Sequence, residues 1–65
     1  MKTTVVFYIW GQRSETVFDE TSELDPLTWI QTCYAKGFIL PDEVYLENNV
    51  LLYSKEQLME ILLEG

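Results

Sequence analysis

The stretch TTVVFYIWGQRSETVFDE, Thr3 to Glu20, decides the fold. Its first half, Thr3 to Trp10, is β-branched and aromatic throughout, a composition that fits a pleated, half-buried surface. Alternation places Val5, Phe7 and Ile9 on one face of that strand, and Val6, Tyr8 and Trp10 on the other. A glycine opens the segment Gly11 to Ser14, which predicts a turn, and Glu15 to Glu20 then returns as the second strand of a hairpin. On that strand Val17 joins one face, and Thr16 and Phe18 the other.

Beyond the hairpin the punctuation is that of a helix. Asp25 is an N-cap acceptor, Pro26 suits the first helical position, and Gly37 suits the first position past the end. Lys36 in the last turn complements the negative end of the helix dipole. Leu27, Ile30, Cys33 and Tyr34 form the stripe that faces a sheet, with Trp29 to the side. Phe38 to Pro41 reads as a short extended approach, since a proline is out of place in a central strand. Asp42 to Glu47 and Val50 to Ser54 alternate on either side of Asn48-Asn49, a two-residue turn in residues that tolerate positive φ. That register groups Val44, Leu46, Leu51 and Tyr53 on one face, and Tyr45, Glu47, Val50 and Leu52 on the other. Ser54 and Gln57 are spaced as a capping box, so a second helix opens at SKEQ. Its core stripe is Leu58, Ile61 and Leu62, widened by Met59 and Leu63. The predicted architecture is a small single α+β domain of ββαββα order over residues 1–65, with both helices on one face of an antiparallel sheet.

A chain of 65 residues buries only about 60% of the surface its unfolded form exposes. Two Trp, four Tyr and three Phe are more rings than one small core requires. With helices on one face of the sheet, Val6, Tyr8, Trp10 and Phe18 are expected on the uncovered side. An apolar, aromatic patch rimmed by acids has the anatomy of a protein interface, with Tyr8 and Trp10 as anchors, or of a homodimer contact.

Eleven acidic residues against four basic ones give a net charge of −7. That charge opposes direct binding to nucleic acid or to anionic membrane, and favours a basic protein surface. The carboxylates fall into three groups: Asp19, Glu20, Glu23 and Asp25; Asp42, Glu43 and Glu47; and Glu56, Glu60 and Glu64. The last three are four apart, a helical spacing that stacks like charges about 6 Å from one another along one face. A DNA strand carries a charge every ~3.4 Å, so two such groups side by side would approach its density.

Equipment for catalysis is missing from this pattern. The chain has no histidine, and its one cysteine, Cys33, lies on an apolar stripe. No phosphate-binding loop or dinucleotide fingerprint occurs. The pairs Asp19/Glu20 and Asp42/Glu43 could act as acid and base, but a domain this small has no room for a sugar cleft. Asp19 to Asp25 lacks the alternating ligands and central glycine of a calcium loop. The expectation is therefore a non-enzyme without metal or cofactor. With a lone cysteine and no signal or membrane-spanning segment, it is expected in the cytoplasm, the host's if a phage encodes it.

The order of elements from Thr3 to Tyr53, with the local pattern DEVYLENNVLLY of Asp42 to Tyr53, resembles the dimeric uracil-DNA glycosylase inhibitors of small Bacillus phages. The second helix is an addition to that pattern. The resemblance implies acidic edges that stand in for phosphates and an apolar pocket that traps the enzyme's DNA-probing side chain. The function expected is inhibition of a nucleic-acid enzyme, a uracil-DNA glycosylase or a CRISPR or other defence nuclease, by occupying its DNA-binding surface. Glu56, Glu60 and Glu64 with a loop cluster would supply charge. The alternative is a regulatory or adaptor protein that binds its partner through the aromatic sheet face.

Overall fold

The computed structural model of the chain describes residues 2–64. Its elements are β1 (Thr3–Ile9), β2 (Gln12–Phe18), α1 (Pro26–Ala35), β3 (Leu40–Leu46), β4 (Leu51–Tyr53) and α2 (Lys55–Glu64), the α+β order that the sequence predicts. The strands form one antiparallel sheet in the order β2-β1-β3-β4, so the most apolar strand is central. Val5, Phe7, Phe18 and Val44 meet Ile30 of α1, Leu58 of α2 and Ile39 in one buried cluster. Both helices therefore cover the same face, and among the described residues the other face of the sheet carries none.

The hairpin is tighter than expected. Ile9 pairs with Gln12, so the turn is Trp10-Gly11 alone, and both residues have positive φ, +53° and +79°. Such a turn matches the right-handed twist of the strands it joins, and Gly11 enters its second position without steric cost. β2 accordingly starts at Gln12 and stops at Phe18, and Asp19 and Glu20 belong to the following loop. The same register reverses the expectation for Phe18. Opposite Thr3, it lies on the helix face, where its ring meets Trp29 edge-on at 5.6 Å. Trp29, expected at the side of α1, also meets Phe7 at 5.2 Å and so closes the core over β1 and β2. Val6 does lie on the helix-free face, yet it is only 2% exposed. Glu15 and Glu43 stand directly beside it on the flanking strands.

The ends of α1 follow their local signals. Asp25 is extended and accepts a hydrogen bond from the Thr28 N–H at 3.2 Å. At the other end Gly37, φ +76°, donates to the Tyr34 carbonyl, and Phe38 N–H donates to that of Cys33. This paired closure turns the chain sharply out of the helix.

Pro41, expected to keep its segment out of the sheet, lies within β3, a central strand. Ladder alternation explains its tolerance. Opposite Phe7, its nitrogen points away from β1 toward β4, and β4 pairs only with Val44 and Tyr45. A bulge follows at Asp42, since Val6 pairs with Glu43 and Phe7 with Pro41. The β3–β4 connection is longer than the two-residue turn expected. Glu47–Asn49 forms a short 3-10 turn with Asn48 and Asn49 both at positive φ, and Leu46 N–H donates to the Val50 carbonyl at 2.7 Å. Val44 keeps its predicted partner Tyr53, but a shift pairs Leu51 with Tyr45 and so moves Leu51 to the helix-free face. Before α2, Gln57 N–H donates to Ser54 Oγ at 3.3 Å and Ser54 N–H to Gln57 Oε1 at 2.8 Å, a complete capping box. Among the described residues, no helix is long and apolar enough to cross a membrane.

Candidate functional site

The positive-φ glycines Gly11 and Gly37 lie at the same end of the molecule, and between them is an aromatic groove of about 470 Å³. Tyr8 and Leu40 are cross-strand neighbours on the helix-free face. Trp10 projects from the hairpin tip, and Tyr34 and Phe38 come from the closure of α1. Trp10 is 95% exposed, Leu40 64%, Phe38 58% and Tyr8 37%. A bulky side chain at positive φ is an outlier that folding alone would replace.

The two anchors expected from the sequence, Tyr8 and Trp10, thus fall into one groove. Sequence reasoning missed its other members. Tyr34, expected on the core stripe, is only half-buried and lines the groove as well. Phe38 is turned outward by the closure at Gly37, a signal present in the sequence as a helix stop though not as a direction.

The carboxylates are not gathered into one surface. Asp19, Glu20, Glu23, Asp25 and Glu47 lie at the opposite end of the sheet, where Thr3 is flanked by Phe18 and Leu46. The two ends are about 20 Å apart along β1. Asp19 accepts hydrogen bonds from the Thr21 hydroxyl and N–H, which hold its carboxyl below the ordinary 3.8. Asp25 is held low in the same way by the Thr28 hydroxyl and N–H. Glu47 accepts from the backbone N–H of Lys2 at 2.8 Å. These three carboxylates therefore also build local structure. Asp25 also lines a smaller, mainly apolar pocket of about 190 Å³ with Leu27, Leu52 and Tyr53.

Asp42 and Glu43 occupy the middle of the molecule on β3 and are half-buried. Glu43 accepts from the Tyr45 hydroxyl at 2.9 Å, which raises the phenol above its ordinary 10.0. Asp42, at the bulge, is about 7 Å along the strand from Leu40 of the groove. On α2, Glu56 and Glu60 lie directly opposite the buried Leu58, and all three stripe glutamates are exposed. The stripe thus points away from the sheet and does not join the helix-free face. Only its last turn comes near the groove, because Leu62 shares a shallow hollow with Tyr34.

Cys33 is a free, half-buried thiol packed against the core. Among the described residues no group of three or more His, Cys, Asp or Glu could hold a metal ion. What the arrangement can do is present exposed rings at one end of the sheet, with most of the carboxylates at the other end or on the outer side of α2. No protein-family model matches the chain, and neither the curated proteins nor the solved structures yield a match.

Proposed function

We propose that this protein is a non-enzymatic inhibitor that seats its aromatic groove on the basic, DNA-binding surface of a nucleic-acid-processing enzyme. A uracil-DNA glycosylase and a CRISPR or other defence nuclease are the enzyme classes to test first. The observation that carries this is Trp10, an almost wholly exposed ring at positive φ, on a groove with Tyr8 and Phe38. Tryptophan and tyrosine dominate the energetics of protein interfaces. The net charge of −7 favours a partner whose surface is basic, and Asp42 lies about 7 Å along β3 from Leu40 of the groove.

The test is inhibition of purified glycosylases and guided nucleases on a DNA substrate, with Trp10→Ala and Asp42→Lys beside the wild type. Inhibition that weakens in both variants, and loses salt sensitivity in the charge-reversed one, supports the reading. Inhibition untouched by Trp10→Ala, or no inhibition of any enzyme in the panel, counts against it. The adaptor reading draws on the same groove, and Leu40 and Phe38 favour it because they bring apolar area without charge. Under it, Trp10→Ala abolishes partner binding and charge reversal leaves binding as it was.

A further inference from the structure

β2 is an edge strand of seven residues, and among the described residues no other strand pairs with its outer side. The residue pair that closes a two-residue hairpin exchanges hydrogen bonds, and bonded pairs then alternate along the ladder. Gln12, Ser14, Thr16 and Phe18 therefore bond to β1, opposite Ile9, Phe7, Val5 and Thr3. The backbone N–H and C=O groups of Arg13, Glu15 and Val17 point outward from the sheet. An edge of this length is a template for another strand unless it is blocked. The strand QRSETVF contains neither proline nor lysine. Its two charges have opposite sign and are two residues apart. They share the helix-free face, where Arg13 Nη1 lies 3.2 Å from Glu15 Oε1, and both side chains are about half exposed.

That charge pattern is complementary to itself. When two copies of β2 pair antiparallel about a two-fold axis at Ser14, Arg13 of each copy faces Glu15 of the other. An axis at Arg13 or at Glu15 sets like charges directly opposite, which is unfavourable. An axis at Thr16 leaves Glu15 opposite Val17 and slides Arg13 past the end of the strand. Only the axis at Ser14 gives both charges an opposite partner within the strand and aligns the outward backbone groups for bonding. On the helix side the facing residues are then Gln12 with Thr16, and Ser14 with Ser14, all polar and without bulk.

We propose that the protein pairs with a second copy of itself through the outer edge of β2, antiparallel and centred on Ser14, joining two four-stranded sheets into one. The helix-free faces become continuous across the junction. Because position 10 then faces position 18, each copy's Trp10 comes beside the start of the other's acidic loop at Asp19. Dimerisation thus brings together an aromatic groove and a carboxylate cluster that the single chain holds at opposite ends.

Sedimentation equilibrium of the full chain, from about 10 μM to 1 mM at physiological salt, tests the pairing. The wild type is expected to dimerise, and Arg13→Glu and Glu15→Arg are each expected to lose roughly tenfold or more in association while remaining folded by circular dichroism. An equimolar mixture of the two variants should form a heterodimer, and the double exchange Arg13→Glu/Glu15→Arg should restore the homodimer. The register is read with Ser14→Cys in a Cys33→Ser background. Facing non-bonded residues are ~4.5 Å apart at Cα, within disulfide reach, so oxidation should cross-link this variant and not Glu15→Cys. A wild type that stays monomeric at 1 mM overturns the proposal. So does a dimer that both single variants retain, a mixture that stays monomeric, or a cross-link at position 15 instead of 14.

Discussion

Trp10→Asn separates what folding favours from what binding favours. Trp10 takes φ +53° in the first position of a turn whose second is Gly11. A residue with a Cβ in the left-handed region costs about 1–2 kcal/mol, and asparagine relieves part of this through local hydrogen bonding. Asn-Gly is, moreover, among the most favoured pairs for this turn. Little burial is lost in exchange. A tryptophan side chain offers roughly 150–250 Å², and at 95% exposure only about 10 Å² of it is covered, worth about 0.3 kcal/mol. The balance favours asparagine by about 1 kcal/mol, which for a domain of this size raises Tm by about 4–8 °C. Calorimetry, with urea denaturation at an unchanged m-value, measures the gain. In the same variant, affinity for the partner should fall by about 30-fold, the loss of a hot-spot ring worth ~2 kcal/mol. A variant that melts at or below the wild-type temperature refutes the reasoning, because the ring would then be supporting the turn.

Ile30 is fully buried where α1 meets the sheet, so Ile30→Ala should cost about 3 kcal/mol by urea denaturation. In a domain whose total stability is on the order of 3–10 kcal/mol, that approaches unfolding; a loss below ~1 kcal/mol would show that the site collapses without penalty. Asp19 and Asp25 titrate below their ordinary 3.8 in the folded chain, so their stabilisation is complete above that value and is lost as pH falls through their lower folded values. Asp19→Asn/Asp25→Asn should flatten the acid limb of stability against pH while keeping the cap, and an acid limb of wild-type steepness would refute the assignment. Tyr45 has the opposite sign. Its raised value stabilises the fold below pH 10.0 and ceases to do so as pH rises through the folded value, so Tyr45→Phe should flatten the alkaline limb.

Local signals were the legible ones. Asp25-Pro26, Gly37 and the pair Ser54/Gln57 each act within four residues, and every one of them starts or stops a helix where the sequence places it. Strand faces in β1 were legible for the same reason, since alternation is a property of the strand itself. Register was not legible. Gly11 to Ser14 admits several turn lengths, and only pairing with β1 selects Trp10-Gly11. With Ile9 opposite Gln12, Phe18 stands opposite Thr3 and so shares the face of Val5 and Phe7, a placement that β2's own alternation does not specify. Pro41 is acceptable only because β4 is too short to need its nitrogen, a fact held on another strand. In the site, Tyr8 and Trp10 were legible from alternation and surplus, whereas Phe38 needed the direction of the chain after Gly37. The acidic groups were legible as groups. Which side of the molecule each occupies depends on how α2 and the loops pack.

That separation of charge from rings decides which acids can contribute to a contact at the groove. At physiological ionic strength, exposed charges are largely screened beyond a Debye length of about 8 Å. The described chain extends 28 × 25 × 23 Å, and Glu23 belongs to the end about 20 Å from the hairpin tip. Its charge can steer a distant encounter in dilute salt, but it does little for a partner already seated on Trp10. Asp42, about 7 Å along β3 from Leu40, lies within the screening length. Asp42→Lys should therefore speed dissociation of the partner, whereas Glu23→Lys should slow association at low salt and leave dissociation unchanged. Surface plasmon resonance at two ionic strengths separates the two rates. If Glu23→Lys changes dissociation as much as Asp42→Lys does, the partner contacts both ends at once, as it would on a dimer that sets Trp10 of one copy beside the acidic loop of the other.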